Sequence, residues 1–415
     1  MRIDAPIANS LQDKFDFRPP AGSLAAEIVF AKETPFVVGI YGGWGSGKSS
    51  FMRLMLSSLN SRKTPTVWFD AWKYDRKEDV LYGLLQTISD ELQNLDASAY
   101  KTIKIGMSKI LRGAGRLSLK VGGQIASRAS MGVLPETVGD DVLGTFGEAE
   151  ETHRYIESLE KEFATQINLF LEHYGKGKTL TSKVSLKLTI FLDDLDRCLP
   201  SSAMQVLEAL KLDFNQARCV FVIGVDQEMM HHTIAVHYGI DPNTVGRDYL
   251  DKIVTVPFLV PTIANQQLAK AYEGLIKTLK IGPALIDFIS VAAGENPRRM
   301  LRIVNHLELL MRSAEARGID PFSGSRSLMS IVVVACLQAR WPGLIEIARW
   351  HYDDFLGFLT IMRGDPMGDI ERILTMFQPY GDDVQLRLFA KCIGPAKLVP
   401  WTTPPDASME QFVPM

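Results

Sequence analysis

A glycine-rich segment near the start of the chain combines the residue types that bind phosphate groups. Residues 42–49 read Gly-Gly-Trp-Gly-Ser-Gly-Lys-Ser and fit the pattern G-x-x-x-x-G-K-[ST]. Glycines let successive backbone N–H groups curl around a phosphate, and a following helix N-terminus adds partial positive charge. Lys48 is expected to contact the β- and γ-phosphates, and the Ser49 hydroxyl to bind Mg²⁺. The predicted nucleotide-binding residues are Gly42, Gly43, Trp44, Gly45, Ser46, Gly47, Lys48, Ser49 and Ser50.

A second group of polar residues follows an apolar run. Residues 186–192 are nearly all apolar, and the chain continues Asp193-Asp194-Leu195-Asp196-Arg197-Cys198. Two carboxylates at the tip of a buried strand are costly unless they bind a cation, water or hydrogen-bond donors. We assign Asp193 to Mg²⁺ and Asp194 to general base, the group that polarises the attacking water. The alternative is that these acids cap the helix predicted from residue 201, a role that suits Asp196.

Three further residues complete the predicted site. Asp226 follows the apolar run Cys219–Val225, beside the strand of the acidic pair, where it could sense the γ-phosphate. Arg247 or Arg298 is expected to stabilise the transition state, from the same subunit or from a neighbouring one. Arg298 belongs to the run Asn-Pro-Arg-Arg at 296–299, and the alternative is that it decorates a helix surface.

The elements around these motifs predict an α/β fold with a parallel sheet. Apolar runs at 36–41, 66–69, 186–192, 219–225 and 249–260 predict five strands separated by helices, with Trp68 and Trp72 in the core. From residue 265 onward the pattern is helical, with helices predicted at 266–280, 283–293 and 297–317. We therefore predict a nucleotide-binding domain at 1–262, a helical lid domain at 263–380 and a C-terminal tail at 381–415.

Residues 101–147 differ from the rest of the first domain. No acidic residue occurs from Lys101 to Pro135, although basic and apolar residues alternate irregularly there. One interpretation is a flexible or loosely packed excursion whose charges are merely solvated. The other is a contact surface for anionic lipid, nucleic acid or a partner protein.

Composition restricts the class of protein. The chain has 415 residues and a formal net charge of -3, which gives no global reason to expect nucleic-acid or membrane binding. Its four cysteines form no C-x-x-C pair, which favours a reducing compartment. The start lacks the apolar core of a signal peptide, and no stretch approaches the length of a transmembrane helix. We expect a cytoplasmic protein with at most peripheral membrane association.

Taken together, these motifs resemble the KAP family of P-loop NTPases. The matching segments are 39–50 (Gly-Ile-Tyr-Gly-Gly-Trp-Gly-Ser-Gly-Lys-Ser-Ser), 69–74 (Phe-Asp-Ala-Trp-Lys-Tyr), 192–198 (Leu-Asp-Asp-Leu-Asp-Arg-Cys), 249–258 (Tyr-Leu-Asp-Lys-Ile-Val-Thr-Val-Pro-Phe) and 296–299. The resemblance implies an additional-strand, AAA-like sheet with a helical lid, ATP as ligand, and membrane-associated or defence-related assemblies in bacteria. Many members of the family carry transmembrane helices where this chain has residues 101–147, so membrane embedding is not expected.

The function predicted from the sequence is an ATPase that uses Mg²⁺ and couples its nucleotide state to assembly with partners. ATP is favoured over GTP because the chain contains no N-K-x-D motif. A homo-oligomer on nucleotide binding and a protein partner are expected, and anti-phage defence is the expected setting. Two alternatives remain open: a nucleotide-gated scaffold with negligible turnover, and a nucleic-acid-dependent motor, which calls for more basic surface than this net charge indicates.

Overall fold

The computed structural model describes residues 13–75, 80–130, 142–176, 186–212, 217–238, 246–318, 320–322, 325–364, 373 and 376–393. The backbone but not the side chains is described at 116–130, 142–156, 211–212, 246–248, 325–327, 348–349 and 392–393, and at the single positions 284, 330, 352, 363, 379 and 385. The chain divides into two compact units, Pro6–Val260 and a second unit made mainly of Pro261–Met415.

One parallel sheet organises the first unit. Its strands are β1 (Phe36–Tyr41), β2 (Thr66–Asp70), β3 (Leu188–Asp193), β4 (Cys219–Val225) and β5 (Val256–Leu259). Within the described ranges they form a five-stranded sheet in the order β2-β3-β4-β1-β5, and every pair is parallel. Strand β4 lies between β1, which leads into the glycine-rich loop, and β3, which ends in the acids. This inserted strand confirms the predicted additional-strand α/β fold.

Helices connect the strands and cover the sheet. They are α1 (Arg18–Phe30), α2 (Lys48–Ser61), α3 (Val80–Leu95), α4 (Ala97–Ser130), α5 (Val142–Gly175), α6 (Pro200–Leu212), α7 (Gln227–Tyr238) and α8 (Gly246–Ile253). Short 3₁₀ turns follow β2 at Ala71–Lys73 and β3 at Leu195–Arg197. Because parallel strands share one direction, the residues after each strand meet at one edge of the sheet. We call this the carboxyl edge, formed by residues 42–49, 70–73, 193–198 and 226.

The predicted fifth strand is wrong over its first half. Residues 246–253 form helix α8, and only Val256–Leu259 is a strand. Leu250 and Ile253 are buried, and their spacing of three places both on one helical face. Strand β5 is an edge strand paired to β1, so Pro257 can occupy it without the N–H group that a central strand requires.

The expectation of a loosely packed excursion is wrong for residues 101–115. These residues belong to helix α4, which packs against α3 and α5. Their buried members are Ile103, Gly106, Met107, Ile110, Gly113 and Ala114. Phe163, Ile167 and Phe170 of α5 lie in the same apolar cluster. The basic residues Lys101, Lys104, Lys109 and Arg112 are exposed, so the helix has one apolar face and one basic face. Within the segment 101–147, residues 131–141 and the side chains of 116–130 and 142–147 lie outside the described part.

The second unit is helical, as predicted. Its helices are α9 (Asn265–Lys277), α10 (Pro283–Ala293), α11 (Pro297–Ala316), α12 (Ser325–Arg340), α13 (Pro342–Trp350), α14 (Tyr352–Arg363) and α15 (Val384–Ile393). Prolines begin α10, α11 and α13, where a helix does not need their missing N–H group. Helix α15 lies within the predicted tail, and Leu386 and Phe389 on it are buried.

Across the described ranges of both units, no helix combines the length and the apolar character needed to cross a membrane.

Candidate nucleotide site

The loop between β1 and α2 has the backbone of a phosphate-binding turn. Gly45 and Gly47 have φ angles of 81° and 101°, in the left-handed region that favours glycine. A Cβ atom on Gly47 would lie 2.9 Å from the ring of Phe17, so a larger residue is excluded by contact as well as by φ. Helix α2 begins at Lys48 and includes Ser49 and Ser50 in its first turn. The positive end of its dipole therefore faces the loop.

Lys48 lies folded against this loop. Its Nζ atom donates to the carbonyl oxygens of Gly42 at 2.8 Å and Gly43 at 3.4 Å. The same atom lies 3.4 Å from Oδ2 of Asp196, and both side chains are only 11% exposed. The ammonium group is therefore held at the mouth of the loop by groups that a phosphate oxygen could replace.

Asp196 is a site residue that the sequence analysis missed. It does not cap α6 as the alternative proposed: the N–H group of Leu199, just before α6, donates to Oδ1 of Asp75 at 2.9 Å. Oδ2 of Asp196 instead accepts the N–H of Asp226 at 2.8 Å and pairs with Lys48. Asp196 lies in the 3₁₀ turn that follows β3 directly, so the third acid of the run 193–196 was the available signal.

The two predicted magnesium ligands are in contact. Oγ of Ser49 donates to Oδ1 of Asp193 at 3.0 Å, although the residues are far apart in the chain. Asp193 is buried at 6% exposure, and it lies beside Asp70 in the strand register. Burial raises the pKa of Asp193, the Ser49 hydrogen bond opposes that rise, and the charges of Asp70 and Asp196 add to it. A cation placed here would favour the ionised carboxylate and so oppose the rise in the pKa of Asp193.

Two buried polar atoms without a hydrogen-bond partner lie where a bound phosphate and Mg²⁺ are expected. Oγ of Ser46 and Oδ1 of Asp70 are buried and have no hydrogen-bond partner in the structure. Ser46 lies inside the glycine-rich loop, where a phosphate oxygen would accept its hydroxyl hydrogen. Asp70 lies next to Asp193, where Mg²⁺ or its water shell would engage the free oxygen. The described residues contain no group of three His, Cys, Asp or Glu side chains that could hold a metal alone. Ser49 and Asp193 still fit Mg²⁺, since this ion commonly takes one or two protein ligands together with phosphates and water.

Asp194 occupies a strained position at the end of β3. Its φ angle is 57°, in the left-handed region that aspartate tolerates better than most residues. Burial and the adjacent charge of Asp193 raise its pKa to about 6, against the opposing effect of Arg197. Nε of Arg197 lies 3.0 Å from Oδ1 of Asp194. The carboxylate therefore has one defined ionic partner.

Two tryptophans flank this ion pair. The ring of Trp44 lies 5.9 Å from the guanidinium carbon of Arg197, and the ring of Trp72 lies 5.7 Å from it. Trp72 was expected in the core, but it is 51% exposed because the 3₁₀ turn after β2 directs it outward. Trp44 is 68% exposed.

Three predicted site residues remain, namely Asp226, Arg247 and Arg298. Asp226 lies at the carboxyl edge, and its Oδ1 accepts the N–H groups of Glu228 at 3.2 Å and Met229 at 3.4 Å, which caps α7. Its Oδ2 lies 3.9 Å from where a Cβ on Gly43 would be, so it also borders the loop. Arg247 lies in α8, but its side chain is outside the described part. Arg298 lies in α11 of the second unit. The structure thus brings together Lys48, Ser49, Asp193, Asp194 and Asp226, while Arg247 and Arg298 stay predictions.

Comparison with known proteins agrees with the motifs. Residues 17–314 match the family model of the KAP family P-loop domain. The chain is 23% identical over 336 residues to the phage T7 exclusion protein of Escherichia coli K12, an alignment that covers 74% of this chain and 43% of that protein. It is 29% identical over 177 residues to an uncharacterized protein of Methanocaldococcus jannaschii, covering 39% of this chain and 89% of that protein.

Similar solved structures are distant. The Aeropyrum pernix ORC2 protein in its ADP form has 12% identity and a TM-score of 0.35, with 90% of this chain and 84% of that chain covered. A mutant of Thermotoga maritima RuvB has 10% identity and a TM-score of 0.34, with 86% and 81% covered. The fold class rests on the strand order of this chain, which places β4 between β1 and β3.

Proposed function

Because the chain belongs to the KAP family of P-loop NTPases, we propose that it binds and hydrolyses ATP with Mg²⁺ and couples its nucleotide state to assembly with partners. The single observation that carries the proposal is the 3.0 Å contact between Oγ of Ser49 and Oδ1 of Asp193. This contact joins the loop that would hold the phosphates to the strand that ends in the acids. A hydroxyl oxygen and a carboxylate oxygen lie side by side there, and both are oxygen ligands that suit a phosphate-bound Mg²⁺.

The predicted site residues have distinct parts in the proposed reaction. Lys48 exchanges its contacts with Gly42 and Asp196 for the β- and γ-phosphates and neutralises their charge. Ser49 and Asp193 would hold Mg²⁺, which supplies neutralisation of the charge that develops on the transferred phosphoryl group. Asp194 orients the attacking water and accepts its proton. Arg247 or Arg298 is proposed to stabilise the transition state, and Asp226 to report on the γ-phosphate.

The test is ATP hydrolysis by the purified protein over a range of protein concentrations, with and without EDTA. Lys48→Ala and Asp194→Asn are expected to abolish turnover, while Lys109→Ala, on the basic face of α4, serves as the matched lysine control. Turnover that rises with protein concentration would support a site completed by a neighbouring subunit, as an arginine supplied in trans requires. Equal turnover in all variants would contradict the proposal.

A nucleotide-gated scaffold is the second candidate. The observation that favours it is that both charged groups needed for catalysis are paired within the protein, Lys48 with Asp196 and Asp194 with Arg197. Such pairing suits a resting state that a partner must open. Binding of labelled ATP without turnover at any protein concentration would favour this candidate. Stimulation of turnover by DNA or RNA would instead favour a nucleic-acid-dependent motor.

A role in anti-phage defence is proposed from the relative that excludes phage T7. The alignment spans less than half of that protein, at 43% of its length, so the proposal concerns the nucleotide-binding part. The test is phage plating on a bacterial host that expresses the chain or its Lys48→Ala variant. Protection that requires Lys48 supports the proposal, and equal plating on both strains contradicts it. A cytoplasmic location stays a prediction.

A further inference from the structure

Arg197 forms a bridge between segments that follow three different strands. Its guanidinium carbon lies 5.9 Å from the Trp44 ring in the glycine-rich loop and 5.7 Å from the Trp72 ring after β2. Arg197 itself follows β3, and its Nε contacts Oδ1 of Asp194 at 3.0 Å. We call Trp44, Arg197 and Trp72 the Trp–Arg–Trp bridge. It connects the loop that would bind phosphates to the residue proposed to activate water.

The chemistry of the bridge requires these residue types. A guanidinium is planar and keeps its charge, so it can face aromatic rings while its Nε–H still donates sideways to a carboxylate. A lysine ammonium could pair with Asp194 but has neither the plane nor the Nε donor. The indoles of Trp44 and Trp72 are 68% and 51% exposed, so neither is retained as buried core.

The bridge makes the position of Asp194 depend on the loop. The described contacts of the Asp194 carboxylate are made by Arg197, and Arg197 in turn contacts an indole that belongs to the loop itself. Because Lys48 must exchange its contacts with Gly42 and Asp196 for a phosphate, the loop has a different set of contacts once nucleotide binds. A shift of Trp44 would pass to Arg197 and from there to Asp194.

We propose that Arg197, held between Trp44 and Trp72, is a positioning residue that couples occupancy of the glycine-rich loop to the placement of Asp194. The inference rests on the proposed function, since it assigns a controller to the same site. It adds a residue whose effect appears in turnover rather than in nucleotide affinity. It also assigns a function to the exposed tryptophans.

The first test separates turnover from binding in steady-state kinetics. Arg197→Ala is expected to lower kcat by roughly tenfold to a hundredfold, the usual effect of misplacing a catalytic group by about 1 Å, and to change KM for ATP by less than about threefold. Arg197→Lys should recover only part of kcat because it restores charge without the plane. Trp72→Leu should lower kcat by a few-fold, whereas the matched control Trp350→Leu, at a 79% exposed tryptophan of the second unit, should not.

The second test does not depend on hydrolysis. The contribution of Trp72 to the fluorescence change on adding Mg²⁺ and ATP is the difference between wild type and Trp72→Phe. We expect this contribution to disappear in an Arg197→Ala background while labelled ATP still binds. If wild type binds ATP without turnover, the proposed ATPase fails, but the fluorescence measurement still decides on the bridge.

Three results with Arg197→Ala would overturn the inference. One is an unchanged kcat in Arg197→Ala, and another is a Trp72 signal that persists without Arg197. The third is a loss of ATP binding in folded Arg197→Ala, because the arginine would then be a binding residue. If Arg197→Ala does not fold, Arg197→Lys and Trp72→Leu carry the kinetic test, and a kcat equal to wild type in both overturns the inference.

Discussion

The carboxyl edge of the sheet and the hairpin of helices α4 and α5 belong to one unit, but the edge buries charged and polar groups whereas the hairpin buries apolar ones. At the edge, Asp193 is buried with a raised pKa, and a buried oxygen of Asp70 has no hydrogen-bond partner. In the hairpin, Ile103 and Phe170 are fully buried in one apolar cluster, while Lys101, Lys104 and Lys109 of α4 are exposed. The edge therefore retains groups that cost folding free energy, and the hairpin supplies apolar burial that offsets such costs.

The largest expected effect comes from Asp193→Asn at the edge. The variant should lose roughly two to three orders of magnitude in Mg²⁺-dependent hydrolysis, because the predicted metal ligand is gone. Its free energy of unfolding in EDTA should be equal to or above that of wild type, since a buried charge has been removed while Ser49 can still donate to the amide oxygen. Steady-state kinetics and urea denaturation measure both.

The exposed Asp90 provides the control for that prediction, because Asp90→Asn on α3 should change neither quantity. A folded Asp193→Asn protein that is less stable but still hydrolyses ATP would contradict the comparison. The carboxylate would then be a structural residue.

Ile103→Ala is the corresponding change in the hairpin. Ile103 is fully buried, so the variant should lose about 2–5 kcal/mol in free energy of unfolding through lost burial and a residual cavity. Hydrolysis per folded molecule should stay within about twofold, because this residue does not touch the carboxyl edge. Urea denaturation followed by circular dichroism measures the first quantity.

Ile105→Ala is the matched control on the same helix, because Ile105 is 72% exposed. Its effect should be within about 0.5 kcal/mol. Equal losses for the two isoleucines would mean that α4 does not pack by the face that the structure shows.

The same contrast explains what the sequence could predict. The glycine-rich loop and the acids after β3 were predictable because their residue types are fixed by local backbone geometry and by the cost of buried charge. The inserted strand β4 was expected from the resemblance to the KAP family, because the apolar runs alone do not determine the order of strands in a sheet. The position of Asp196 was missed because its partners, Lys48 and the N–H of Asp226, come from other strand ends.

Regions without such local constraints were predicted less well. Tyr249 and Ile253 suit a strand, yet residues 249–253 are helical and bury Leu250 and Ile253 on one side. In α4 the basic residues concealed an apolar face, since glycines and short side chains weaken the periodic signal. Trp72 was expected in the core, because hydrophobicity alone does not reveal a 3₁₀ turn that directs a side chain outward.

A smaller effect is expected from Asp196→Asn, which tests whether edge charges compete with the ligand. Lys48 must leave Asp196 to contact a phosphate, so the variant should bind labelled ATP a few-fold more tightly, equivalent to about 0.5–1 kcal/mol. Weaker binding would instead show that Asp196 holds the lysine in its binding position. Fluorescence titration measures the difference.

The smallest effect on the free energy of unfolding is expected from reversing charges on the exposed basic face of α4. Lys104→Glu combined with Lys109→Glu reverses two exposed positions of α4, so stability should change by less than about 0.5 kcal/mol and hydrolysis should not change. If the basic face contacts anionic lipid, sedimentation of the protein with phosphatidylserine vesicles should fall, since each lysine near such a surface contributes about 1 kcal/mol. Absence of wild-type binding to these vesicles would contradict the lipid contact. The basic face would then be a solvated surface, unlike the carboxyl edge, where changes at Asp193, Asp194 and Asp196 are predicted to alter activity or nucleotide affinity.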